Sequence, residues 1–170
     1  VFLSRRRPTV DDHCRVFHSR ANGLLVLDNR TAKDERAALD LCRCGLALDP
    51  RDGELLVGAS VAANALADRQ SGDDFDVQRT RLRALALRYG SCARDVHPKS
   101  AAAMHALGLA RLMTARHPRH ARAALELFGA ALAASLPLTT DQKTALQASR
   151  DLAGRTEAFL SRREKKGHED

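Results

Sequence analysis

The sequence predicts an all-α protein, and three observations carry that expectation. Alanine and leucine head the helix-propensity scale, and they supply 30 and 25 of the 170 residues. The residues that strands draw on are scarce: there is no Ile or Trp, one Tyr (Tyr89), eight Val and eight Thr. Between prolines at 8, 50, 98, 118 and 137 the apolar residues recur at helical spacing. With 44% hydrophobic and 29% charged residues, the composition is that of a folded domain rather than a disordered chain. A chain of this length buries roughly 70% of its unfolded surface, enough for one compact core. Its apolar runs fall far below the roughly 18 residues of a membrane span, so no membrane insertion is expected.

Each element follows from local pattern. Cys14 to Leu27 predicts a first helix, with Asn22 and Gly23 as weak points. From Glu35 to Leu48, residues Ala38, Leu41, Cys42, Gly45 and Leu48 fall on one helical face. That helix stops at Asp49-Pro50, because a residue before proline avoids the right-handed helical region. Leu55 to Leu66 predicts a third helix, and Ser71-Gly72-Asp73-Asp74 a break. A fourth helix runs through Leu82, Leu85, Ala86, Tyr89 and Ala93 to end at Val96-His97-Pro98. Ala101 to Ala115 makes a fifth, His117 to His120 a turn, and Ala121 to Leu136 a sixth. Thr139 with Gln142 offers a capping box, from which a last helix runs to about Glu164. The expected organisation is about seven helices in one domain over 11–164, with an N-terminal extension 1–10 and a tail 165–170.

Internal repeats govern such chains. Ala38, Cys42, Gly45 and Pro50 are spaced by four, three and five residues, and Ala86, Gly90, Ala93 and Pro98 repeat those spacings. Ala124, Phe128 and Ala131 keep the four and the three, with Pro137 six further on. Upstream of the second and third of these helices a complementary pattern stands ten residues after a proline: Ser60 after Pro50, and Leu107-Gly108 after Pro98. Two helices joined by a short turn must cross closely, and small residues at Ser60, Gly108, Ala86 and Ala124 let the backbones approach.

Over residues 35–137 this pattern resembles the tetratricopeptide repeat, with its small-large-small second helix and terminal proline. Met104 and Leu56 take the place where that family carries an aromatic. The repeat is longer than the usual 34 residues, since Pro50 and Pro98 lie 48 apart and Pro98 and Pro137 lie 39 apart. The resemblance implies antiparallel helix pairs stacked into a short right-handed superhelix, with first helices lining a concave groove. The groove positions it implies are Leu55, Ala59, Ala62, Asn64 and Asp68, then Ala103, His105, Ala106, Ala110 and Arg111. Of these Asn64, His105 and Arg111 are the polar candidates for holding a partner peptide. The related pentatricopeptide family reads RNA one base per repeat, but the two long hairpins break the register that such reading needs.

Charge adds a second set of candidates. The net charge is +7, and 23 of the 28 basic residues are Arg. Arg79, Arg81, Arg83, Arg88 and Arg94 lie in a stretch with no acid, as do Arg111, Arg116, Arg119 and Arg122. The ordinary reading of each is a solvated helix face. The functional one is a surface for an acidic protein or a phosphate backbone, with Arg79, Arg83, Arg119 and Arg122 foremost and Arg81 and Arg88 beside them.

Catalytic and metal chemistry finds little footing. His117 and His120 sit among Arg116, Arg119 and Arg122, where a cation is repelled. Cys14 with His13 and His18 suggests a thiol–imidazole couple, but no third member or oxyanion device accompanies it. Asp73, Asp74 and Asp76 suit helix capping better than a calcium loop. Cys42 and Cys44 point in different directions on one helix, no zinc or disulfide framework is visible, and reduced thiols are expected. There is no Gly-rich phosphate loop and no Gly-x-Ser-x-Gly. No enzyme activity, metal, cofactor or small-molecule substrate is expected.

The chain opens at Val1 without Met and reads Phe2-Leu3-Ser4-Arg5-Arg6-Arg7, where Ser4 to Arg7 have the character of a transit-peptide remnant. A processed protein of the mitochondrial matrix is therefore expected, with a cytoplasmic one as the alternative. In size, helix number and apparent processing the chain is similar to the helical-repeat accessory subunit on the catalytic head of euglenozoan mitochondrial ATP synthases. That likeness implies docking by shape and charge on other protein subunits of a large complex. The alternatives are an RNA-facing mitoribosomal or RNA-processing subunit, and a peptide-binding adaptor or cochaperone.

Overall fold

A computed structural model describes residues 8–70, 76–134 and 137–166. Among them lie seven helices and no strand: α1 (Val10–Leu25), α2 (Ala32–Leu48), α3 (Gly53–Arg69), α4 (Asp76–Val96), α5 (Ala101–Met113), α6 (Pro118–Leu132) and α7 (Thr140–Lys166). All seven predicted helices are present. The break at Ser71–Asp74, the Arg-rich start Ser4–Arg7 and the last residues of the tail lie outside the described residues.

Caps decide where the helices begin. The Thr9 hydroxyl accepts from the Asp12 backbone N–H at 3.2 Å, while the Asp12 carboxylate accepts from the Thr9 N–H at 2.8 Å. Thr31 and Asp34 repeat this box. These two boxes start α1 and α2 several residues before the apolar stripe does, at Val10 and Ala32 rather than at Cys14 and Glu35. Bonds from Thr9 and Thr31 hold the Asp12 and Asp34 carboxyls below their usual range. Asp52 caps α3 and Ser100 caps α5. Thr139 and Gln142 form the predicted box ahead of α7, with bonds of 2.9 and 3.2 Å. Pro118 opens α6 at its first position, where a missing N–H costs nothing. The sixth helix closes at Leu132 rather than Leu136, and the fifth at Met113 rather than Ala115. The Thr114 hydroxyl bonds back to the carbonyls of Ala110 and Arg111 as α5 ends.

Each helix packs on its sequence neighbours. α1, α3, α5 and α7 also touch next-but-one, whereas α2, α4 and α6 touch only their sequence neighbours among the described residues. The result is two rows: a continuous row of odd-numbered helices, and even-numbered helices each seated across two of them. This is the contact pattern that stacked helix pairs produce. The nine phased positions of the second helices (Ala38, Cys42, Gly45, Ala86, Gly90, Ala93, Ala124, Phe128, Ala131) are all buried.

The small residues sit where helices cross. The Ser60 hydroxyl donates to the Ala86 carbonyl at 2.9 Å, joining α3 to α4. A Cβ on Gly90 would stand 3.0 Å from the Leu107 Cα and 3.2 Å from the Ser60 hydroxyl, so α4 is approached from both sides. One on Gly108 would stand 2.5 Å from the Phe128 ring. α3, flanked on every side, buries ten of its 17 residues, while α7, the end of the row, buries only Leu146 and Ala153.

The cysteines are free, as expected. Cys14 is buried with its thiol 3.8 Å from the Gly45 carbonyl. Burial pushes the Cys42 thiol up to about 12, which removes its nucleophilic form. Cys44, two residues on, is exposed. Iodoacetamide on the folded protein should therefore modify Cys44 first and Cys42 and Cys14 only on unfolding. Peptide mass spectrometry reads the order, and early labelling of Cys42 would contradict the packing of α2.

Candidate functional site

The implied groove is not open where the resemblance places it. Leu55, Ala59, Ala62 and Ala110 are fully buried, and Ala103 and Ala106 nearly so. The reason is physical: alanine lets the odd-numbered helices close on one another, and the space a peptide would need is filled by α1, α3 and α5 themselves. Asn64 is 7% exposed, and among the described residues neither atom of its amide has a hydrogen-bond partner. A partner peptide cannot reach it without parting helices. Asp68 remains exposed, its carboxylate 3.7 Å from Nη2 of Arg83.

His105 is half-buried and already engaged. Its Nε2 lies 3.1 Å from the Ser149 hydroxyl of α7, and its ring stands edge-on to Phe128 at 5.7 Å. It joins α5 to α7 rather than awaiting a ligand. Burial lowers its pKa below the ordinary 6.5. The folded state thus keeps the imidazole neutral while the unfolded chain protonates it near 6.5. The stability this contributes is fully present above that pH and is lost as pH falls through it toward the lower folded value. Tm measured from neutral pH down to about pH 5 should fall more steeply for the native chain than for His105→Gln. Equal slopes would remove His105 from the acid response.

The basic stretches look different in space than in sequence. Arg79 bonds Asp76, Arg83 approaches Asp68, and Arg122 meets Glu157 with contacts of 2.7 and 2.8 Å. The acids come from the start of the same helix, from α3 and from α7. Arg81, Arg88 and Arg119 are exposed, and Arg111 is half-buried; none of these four forms an ion pair among the described residues.

The structure does not assemble the other chemical candidates. Cys14 is buried against Gly45, and His18 instead faces Glu54 at 3.1 Å. His117 and His120 stack edge-on, and His117 lies 3.3 Å from Glu164. Among the described residues no three His, Cys, Asp or Glu side chains group as a metal would require. No described helix is long and apolar enough to cross a membrane.

One cluster escaped the sequence reading. Glu35 is 1% exposed, and its two carboxylate oxygens take Nε of Arg30 at 3.1 Å and Nε of Arg69 at 2.7 Å. Arg69 also donates to the Arg30 carbonyl, and Arg30 to the Leu25 carbonyl. The signal was present: Glu35 precedes Ala38 and Leu39 by three and four residues, on the buried stripe. Its partner 34 residues away is not visible in any local pattern. The cluster pins the end of α1, the α1–α2 turn and the end of α3 to α2.

In comparisons with known proteins, no family model, no curated protein and no solved structure matches the chain.

Proposed function

We propose that the chain is a non-enzymatic protein–protein interaction subunit, a short superhelical stack of tetratricopeptide-like helix pairs within a larger mitochondrial complex. Its most specific form is docking on the catalytic head of ATP synthase in the matrix, by shape and charge. The observation that supports the interaction reading most is the coincidence of phase and packing. Positions chosen by spacing from Pro50, Pro98 and Pro137 are the ones where helix rows meet, and a stack of this kind offers extended surface rather than a reaction cleft.

A specific observation favours an RNA-facing reading as second choice: Arg81, Arg88 and Arg119 are exposed and unpaired among the described residues. Against it stands the capture of Arg79 and Arg122 by acids, which removes two of the six basic candidates. The groove-binding cochaperone reading loses its ground with the burial of Asn64 and its neighbours. If Arg111→Ala nonetheless abolished partner binding, that reading would return.

Affinity purification of the tagged chain from its native source, with mass spectrometry of the complex, tests the proposal. Stoichiometric protein partners are expected. Recovery without any ATP synthase subunit excludes the specific form. A partner that is RNA, with affinity falling steeply in salt, replaces the proposal with the second reading.

A further inference from the structure

The buried side-chain polar atoms without hydrogen-bond partners among the described residues gather toward one end of the α3–α4 hairpin. They are both amide atoms of Asn64, Oε1 of Gln70 and Nε of Arg83. Such atoms are rare in folded proteins, and each calls for an explanation. Ser60, Asn64 and Asp68 stand one turn apart on α3 and share a face. Ser60 bonds the Ala86 carbonyl and Asp68 approaches Arg83, so Asn64 lies beside the α4 turn between them. Past Arg83 a cleft of about 320 Å³ opens between α4 and the end of α5. Leu87 and Met113 give it apolar walls, and Arg83, Arg116, Thr80 and Thr114 give it polar ones. No acid lines it. Arg116 is exposed and forms no ion pair among the described residues. Among the described residues Arg83 pairs only with Asp68, 3.7 Å from Nη2, and its side chain stays 32% exposed.

We propose that this cleft holds a side-chain carboxylate of a partner protein, a Glu or Asp with an apolar residue beside it. The carboxylate lies on the Arg83 and Arg116 guanidiniums, and the apolar neighbour on Leu87 and Met113. The inference rests on the interaction reading above and names one of its contacts. Three features select this occupant. A guanidinium matches the two oxygens of a carboxylate, and Arg116 is exposed while the Arg83 side chain is 32% exposed at the cleft. The volume sits at the small end of ligand pockets and suits one or two side chains. A phosphate backbone instead rewards a long open basic stripe, and the Arg79 and Arg122 that would extend one are held by acids.

The isotope-labelled full chain, observed by NMR, tests this with hexanoate as the probe, a carboxylate on an apolar stem. Hexanamide is its neutral twin, and inorganic phosphate and an oligouridylate are the phosphate arms. Hexanoate is expected to shift the amides of Leu87, Met113 and Thr114 saturably, and hexanamide is not. Arg116→Gln, at an exposed position, should weaken hexanoate by about tenfold or more without altering the fold, and Arg83→Gln likewise. The proposal is overturned by no saturable shift at these positions, by equal shifts with hexanamide, or by tighter binding of oligouridylate at the same residues. A chain carrying both substitutions that still recovers its native protein partners in full would sink the cleft and leave the interaction reading standing. A native chain that recovers no protein partner would sink that reading itself.

Discussion

Gly108→Val is expected to destabilise the fold by about 3 kcal/mol, near the top of the usual range for overpacking a core. A Cβ at this position would stand 2.5, 2.9 and 3.0 Å from three atoms of the Phe128 ring. That ring is fully buried between α5 and α6 and cannot swing aside. Valine's small propensity advantage over glycine in a helix offsets only a few tenths of this. The cause can be isolated by shrinking the partner. Phe128→Leu alone should cost about 1–2 kcal/mol for lost burial. Combined with Gly108→Val it should recover at least about 1 kcal/mol, since the two residues compete for one space. Denaturant midpoints at unchanged slope measure all three variants. Strict additivity would mean that α5 and α6 do not cross at Gly108. The pair also shows how side chains of unequal size fit at equally spaced positions. Where the second helix carries a large residue, Phe128, the first helix carries Gly108. Where it carries Gly90, the first helix of the next pair brings its own backbone, at Leu107, into the gap.

This exchange of volumes shows what was legible. Helix pairs could be read because their crossing residues and terminal prolines are local and periodic. The capping boxes at Thr9–Asp12 and Thr31–Asp34 are equally local, but Asp stands where the usual signature has Glu or Gln. Which alanine face is buried was not legible. Ala59, Ala62 and Ala110 suit a groove lining and a close crossing equally, since a methyl group carries no polar sign to orient it. Nor was the fate of the basic stretches. Arg83 and Arg122 look acid-free along the chain, but Asp68 and Glu157 reach them from other helices. Charge patterning along a sequence reports neighbours only within a turn or two, whereas ion pairs in this fold are made between elements.

The same limit hid the contact whose loss should matter most. Replacing both Arg30 and Arg69 by Ala is expected to cost about 3–5 kcal/mol, because it leaves the Glu35 carboxylate buried without a partner. Glu35→Gln should cost less, about 1–2 kcal/mol. Its two arginines are 40% and 43% exposed and can turn to water, while the buried carboxylate has nowhere to go. A triple variant with Met at position 35 and Ala at 30 and 69 should regain most of the loss, since an apolar side chain of similar length tolerates the site. The order among these variants is the diagnostic result, read from denaturant midpoints. If the double arginine variant proved milder than Glu35→Gln, the carboxylate would have to be reaching solvent, and α1 and α3 would not close over it. The arrangement also bears on how the stack is held. α1 packs on α2 and α3 through small apolar residues such as Ala21 and Ala38, which slide easily against one another. A two-armed ionic clamp with fixed geometry gives the first helix pair one position relative to α3, which apolar contact alone does not specify.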